Sequence, residues 1–176
     1  METPHYDPLT SSRIRLLSGN GTRSSSHIPN SACYKGWGQD EALVRADDGY
    51  LAAWKYSSRS VTIGMPPSPR DYMRVEGLGF KDSIREYVVA SGEPMVISMG
   101  IGGSAGNASW SCSPPRITFT PVAGHDYDAF LEMPGGRCWI AVREIDEHGL
   151  DAPVPVEAAP KCAAADAGSA ADQAAK

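Results

Sequence analysis

Between Arg116 and Ile145 the chain alternates apolar and polar residues in three short runs, and no other stretch limits the fold as tightly. Arg116 to Pro121 places Ile117 and Phe119 on one side. Successive side chains of a strand point to opposite faces, so such alternation marks a half-buried strand. Val122-Ala123-Gly124 turns the chain, and His125 to Glu132 then presents Tyr127, Ala129 and Leu131 to one face. Pro134-Gly135-Gly136 turns it again, and Arg137 to Ile145 returns. Three consecutive runs of this kind read as an antiparallel meander. With 18 glycines and 14 prolines in 176 residues, short strands and turns are favoured over long helices.

The rest of the chain extends this reading. Met1 to Ser12 holds two prolines and no apolar periodicity, and reads as an arm suited to tethering. Arg13 to Leu17 alternates like a strand, Asn20-Gly21 is a tight-turn signal, and Thr22 to Ile28 is a weak, serine-rich return strand. Ala42 to Arg45, Tyr50 to Tyr56 and Val61 to Gly64 are further short strands, with Asp47-Asp48-Gly49 turning between the first two. Pro66-Pro67-Ser68-Pro69 cannot join a central sheet, because proline lacks the backbone donor, and reads as a rigid surface loop. Ile84 to Ala90, a turn at Ser91-Gly92-Glu93-Pro94, and Met95 to Met99 read as strand, turn, strand. Gly100 to Ser109 contains Gly100-x-Gly102-Gly103, but Trp110 to Pro115 cannot open the helix that a phosphate cradle requires. It reads as a flexible loop. The domain therefore covers residues 13–157, followed by an Ala-rich tail at 158–176 that reads as a marginal helix or as disordered chain.

Sixteen Lys and Arg against 21 Asp and Glu leave a net charge of −5, and the pI is near 5.3. A nucleic-acid binder needs a basic face, which argues against that class. No run of about 18 apolar residues is present to form a membrane-spanning helix. Cys33, Cys112, Cys138 and Cys162 form no CxxC pair, and His5, His27, His125 and His148 are not spaced near them, so a zinc site is poorly supported. An even, widely spaced set suits two disulfides in an oxidising compartment, with three connectivities open. Met-Glu-Thr-Pro carries no export signal. With the cysteines, that leads us to expect a mature, exported form.

A resemblance enters through Tyr87-Val88-Val89-Ala90-Ser91-Gly92-Glu93-Pro94, Cys112, Phe119-Thr120-Pro121-x-x-Gly124-His125-Asp126-Tyr127 and Cys138. Over about residues 84–145 the chain resembles small bacterial envelope lipoproteins with an immunoglobulin- or transthyretin-like β-sandwich. The resemblance implies that fold, a periplasmic or outer-membrane location and a lipid anchor in the native form, and it carries no catalytic residue. The sequence departs from the pattern in lacking a lipid-bearing cysteine at the start and in its Pro-rich middle. Beside it, Gly92 and Gly124 sit where a turn demands positive φ. Tyr127 has the position of a tyrosine corner. Cys112 lies just before the first meander strand and Cys138 at the start of the third, which favours joining them and leaves Cys33 for Cys162.

Chemical motifs are sparse. His125 and Asp126 are neighbours on a strand and point to opposite faces, so they cannot orient one another. Glu144, Asp146 and His148 could meet only if the last strand continued, and read as a solvated acidic strand end. No serine lies in a Gly-x-Ser-x-Gly elbow. Trp139 reads as a core residue, whereas Trp37 and Trp110 lie in Gly-rich settings where an exposed indole would anchor a partner. No catalytic residue, cofactor or metal is expected. The resulting expectation is an all-β, antiparallel sandwich of roughly seven or eight strands with long loops. Its expected role is a non-enzymatic envelope protein that binds or stabilises a protein partner. A periplasmic inhibitor of a secreted toxin is one alternative, and a carbohydrate-binding module or hydrolase using Trp37, Trp54, Trp110 and Trp139 with Glu144 and Asp146 is another.

Overall fold

The computed structural model of the chain describes residues 4–19, 22–47 and 59–163. Two sheets carry all of the regular structure of this region beyond short 3-10 turns, and no α-helix occurs among the described residues. The first sheet contains β1 (Ser11–Gly19), β4 (Asp82–Ala90), β8 (Asp126–Glu132), β9 (Trp139–Ile145) and β10 (Asp151–Pro153), in the order β10-β9-β8-β1-β4. The second contains β2 (Arg23–Ile28), β3 (Val44–Arg45), β5 (Met95–Ala105), β7 (Ile117–Phe119) and β11 (Glu157–Ala158), in the order β11-β7-β5-β2-β3, with β6 (Ala108–Cys112) on the far half of β5.

The sheets pack face to face through the residues that alternation assigns inward. Ile14 and Leu16 of β1, Tyr127, Ala129 and Leu131 of β8, and Ile140 and Val142 of β9 meet Met95, Ile97 and Met99 of β5 and Ile117 and Phe119 of β7 in one buried cluster. Each fully buried side chain of this size contributes roughly 1.5–3 kcal/mol relative to exposure. Tyr127 forms the expected corner: its ring is buried and its hydroxyl accepts the Val122 N–H at 3.0 Å. Gly124 makes that corner possible, with φ at 78° and a missing Cβ that would sit 3.2 Å from the Pro8 carbonyl oxygen.

Several expectations need correction. β8 and β9 pair antiparallel as read, but β7 leaves them and joins β5 in the other sheet; the third strand of the meander is β10, on the far side of β9. The sandwich is not wholly antiparallel, because β1 lies parallel to β8. A parallel pair needs a long connection, and all of the second sheet except β11 intervenes between these two strands. The β4–β5 segment is strand, turn, strand, yet the turn crosses between sheets, as does the connection from β1 to β2. Asn20-Gly21, Asp48-Gly49 and Tyr50 to Tyr56 lie outside the described residues. The Gly-rich run is not a flexible loop: Gly100 to Ala105 extends β5, and Gly106-Asn107 turns it into β6. The positive φ of 59° at Gly106 suits the first central position of a primed two-residue turn. The start of the tail is ordered, since β11 pairs with β7 and Cys162 is bonded to Cys33.

The largest departure concerns the Pro-rich middle, which is no mere surface loop. It lies as a strap over the outer face of the first sheet. Val61 bridges β4 at Arg85, and Met73 is buried against Leu17, Ile84 and Phe130. Beneath the strap, four residues in direct register across four strands alternate in charge: Glu86, Arg15, Asp128 and Arg143. Arg15 is 3% exposed and spends its donors on Glu86 (2.7 Å), Asp128 (2.8 Å) and the Pro66 carbonyl (2.6 Å). The strap completes the row: Ile63 N–H donates to the second Glu86 oxygen at 2.6 Å, and the Ser68 hydroxyl donates to Asp128. Burial pushes the Asp128 carboxyl above its ordinary range, and Arg15, Ser68 and Arg70 oppose that shift.

Candidate functional site

Strand direction gathers the exposed apolar residues. β1 ends at Gly19 opposite Asp82, the first residue of β4, and β8 runs parallel to β1 and ends beside Trp139, the first residue of β9. β2 begins shortly after β1, opposite Ile101, so the β5–β6 hairpin projects from the same end. That end carries Phe80 (85% exposed), Trp110 (53%), Met133 and Trp139. Trp110 lies directly opposite Gly103, and a Cβ on that glycine would run into the indole, so the ring rests on bare backbone.

Cys112–Cys138 also lies at this end, on the β9 side of the first sheet. It links β6 of the second sheet to the residue before β9 of the first, with Cα atoms 6.3 Å apart. Trp110 lies two residues before one cysteine, on the same face of its strand, and Trp139 directly follows the other. Trp139 is therefore not the core residue that its sequence setting suggested: it is 43% exposed. Ile140 and Val142 take the inward positions of β9 and leave Trp139 on the outer face.

Trp37 is placed differently. It is 98% exposed, at the tip of a loop after β2. Cys33–Cys162 braces the loop, with Cα atoms 4.9 Å apart. Both Asp40 carboxylate oxygens accept the Lys35 N–H, at 3.0 and 3.1 Å, and Gln39 N–H donates to the Gly36 carbonyl. The Arg116 guanidinium stacks 4.1 Å over the Tyr34 ring. The indole thus projects from a frame that is already ordered. Trp37 and Trp110 sit on separate elements held by different disulfides, and Trp54 lies outside the described residues.

The acidic cluster does not assemble. Glu144 turns to His125, whose Nδ1 lies 2.9 Å from its carboxylate. Asp146 accepts the N–H groups of His148 and Leu150, each at 2.8 Å. Those bonds, the one from Leu150 first, hold its carboxyl below the ordinary value. Among the described residues no group of three His, Cys, Asp or Glu is placed to hold a metal ion, and no helix is long and apolar enough to cross a membrane. Asp126, one of the pair weighed above, is engaged by Arg13 through two bonds of 2.7 and 2.8 Å. A groove of about 580 Å³ opens beside the apolar end, lined by Arg23, Arg45, Ser24, Ser113 and the backbone of Gly100 and Gly102. Sequence reasoning did not anticipate it, because the groove depends on the Gly-rich run being a strand.

No family model matches the chain, and neither a curated protein nor a solved structure matches it.

Proposed function

We propose that this protein is a non-enzymatic binding protein of an oxidising, exported compartment, and that it holds a protein partner through the apolar end of its sandwich. The observation that carries the reading is the exposure of Trp110 and Trp139 on either side of the Cys112–Cys138 disulfide, with Met133 and Phe80 also exposed at that end. Large aromatic side chains on an ordered frame lose little entropy on binding, and they dominate the energy of protein interfaces. Trp37 supplies a second anchor of the same kind. The two disulfides support an oxidising location. The two-sheet fold is compatible with an immunoglobulin- or transthyretin-like type, and an envelope lipoprotein remains the class that this reading favours.

The test is photo-crosslinking in the exporting cell, with a photoreactive amino acid at Trp139, at Trp37, or at Val75 on the strap. An adduct of one defined mass at Trp139 or Trp37, and none at Val75, is expected. Equal adducts at all three positions, or none at either tryptophan, would overturn the proposal. Quenching of tryptophan fluorescence by a glycan, with no protein adduct, would turn the assignment to a carbohydrate-binding module.

A further inference from the structure

We infer that the outer edge of β6 pairs with the same edge of a second copy of this chain, antiparallel about a two-fold axis at Trp110. The other sheet edges are protected. β3 and β11 have two residues each, and β10 has three and ends in Pro153. β4 is long, but Val61 crosses its edge, donating to the Ile84 carbonyl and accepting the Glu86 N–H. Short edge strands, proline and covering segments are the usual defences against unwanted strand addition. β6 has none of them: five residues, Ala-Ser-Trp-Ser-Cys, pair with β5 on one side and with no strand on the other among the described residues.

The occupant follows from charge and parity. From Gly100 to Pro115 no residue is charged, although the chain carries 37 charged residues and a net charge of −5. Two copies that repel elsewhere meet here without like charges. Ala105 and Ala108 flank the two-residue turn and exchange hydrogen bonds, so Gly103–Trp110 and Ile101–Cys112 do the same. The backbone groups of Ser109 and Ser111 therefore point outward. The Gly102 N–H, opposite Ser111, accordingly donates away from β6, to the Thr22 carbonyl at 2.8 Å.

With Trp110 on the axis, Ser109 faces Ser111 of the second copy and Ser111 faces its Ser109. Each pair exchanges two hydrogen bonds, and the two indoles lie opposite one another on the inner face. The strand is complementary to itself in this register, as a two-fold interface requires. The inference does not rest on the partner-binding proposal; such a dimer would set two copies of the apolar end side by side.

Sedimentation velocity and amide exchange on the oxidised full chain test it. A mass that rises toward two copies with concentration is expected, with Ser109 and Ser111 amides gaining protection in parallel. Ser111→Pro removes an outward donor and no bond to β5, so it should remain monomeric while unfolding at the wild-type temperature. Ser109→Lys with Ser111→Lys sets lysines opposite lysines and should also be monomeric. Ser109→Glu with Ser111→Lys sets opposite charges across the axis and should restore the dimer. A monomer at every concentration, protection without self-association, or equal dimerisation of the Lys/Lys and Glu/Lys variants would each overturn the inference.

Discussion

Arg15 and Asp128 are buried charges whose cost is offset only by one another and by their neighbours. Removing one partner of such a pair strands the other in a medium that solvates it poorly, at a cost of about 3–5 kcal/mol. Asp128→Ala should therefore lower the urea midpoint by that amount of stability with an unchanged slope. Asp151→Ala breaks the contacts of a partly exposed carboxylate with Arg143 and Arg70 and should cost about 1 kcal/mol or less, as surface pairs do. His27 makes a different prediction. It is 3% exposed beside Tyr87, and burial lowers its pKa to about 4. The unfolded histidine takes up a proton below pH 6.5 and the folded one does so only near pH 4. Stability is then lost as pH falls through that window, by about 3 kcal/mol in all, and levels off below it. Denaturation of wild type and His27→Phe at several pH values should show a gap that changes across that window and nowhere above it.

The β5–β6 hairpin depends on its tether. Cys112–Cys138 closes a loop of 26 residues, which stabilises by about 3.5 kcal/mol in the chain-entropy account. Cys112→Ser with Cys138→Ser should lose up to that amount, and amide exchange should quicken in residues 101–112 while the β8–β9 ladder stays protected. Much at this scale was legible. Alternation located β8 and β9, and the same parity that sends Ile140 and Val142 inward could have placed Trp139 outside. The pairing Cys112–Cys138 was anticipated, but for a reason the structure replaces: it joins the two sheets and does not fasten a meander. The partner of β7 was not legible, because alternation fixes which face is apolar and says nothing about which sheet receives it. The strap was hidden for a related reason. Ser68 meets Asp128 across 60 residues of chain, and proline-rich sequence announces only that a segment is not a central strand.

At the scale of the molecule, the strap gives the first sheet a packed layer on both faces, while the apolar end and the edge of β6 stay open. The candidate site was half visible: Trp37 and Trp110 stood out in their glycine-rich settings, whereas Phe80 and Met133 gained meaning only when strand direction brought them to one end. The alternating row beneath the strap also bears on biosynthesis. Its members, residues 15, 86, 128 and 143, come from strands spread over most of the chain. A nascent polypeptide emerging from the ribosome cannot close the row until Arg143 has been made, and until Asp128 appears Arg15 lacks its second carboxylate. Topologies dominated by such distant pairings fold slowly. Newly made chains should therefore stay unfolded through translation and fold only afterwards, a delay well matched to threading through a narrow translocation pore.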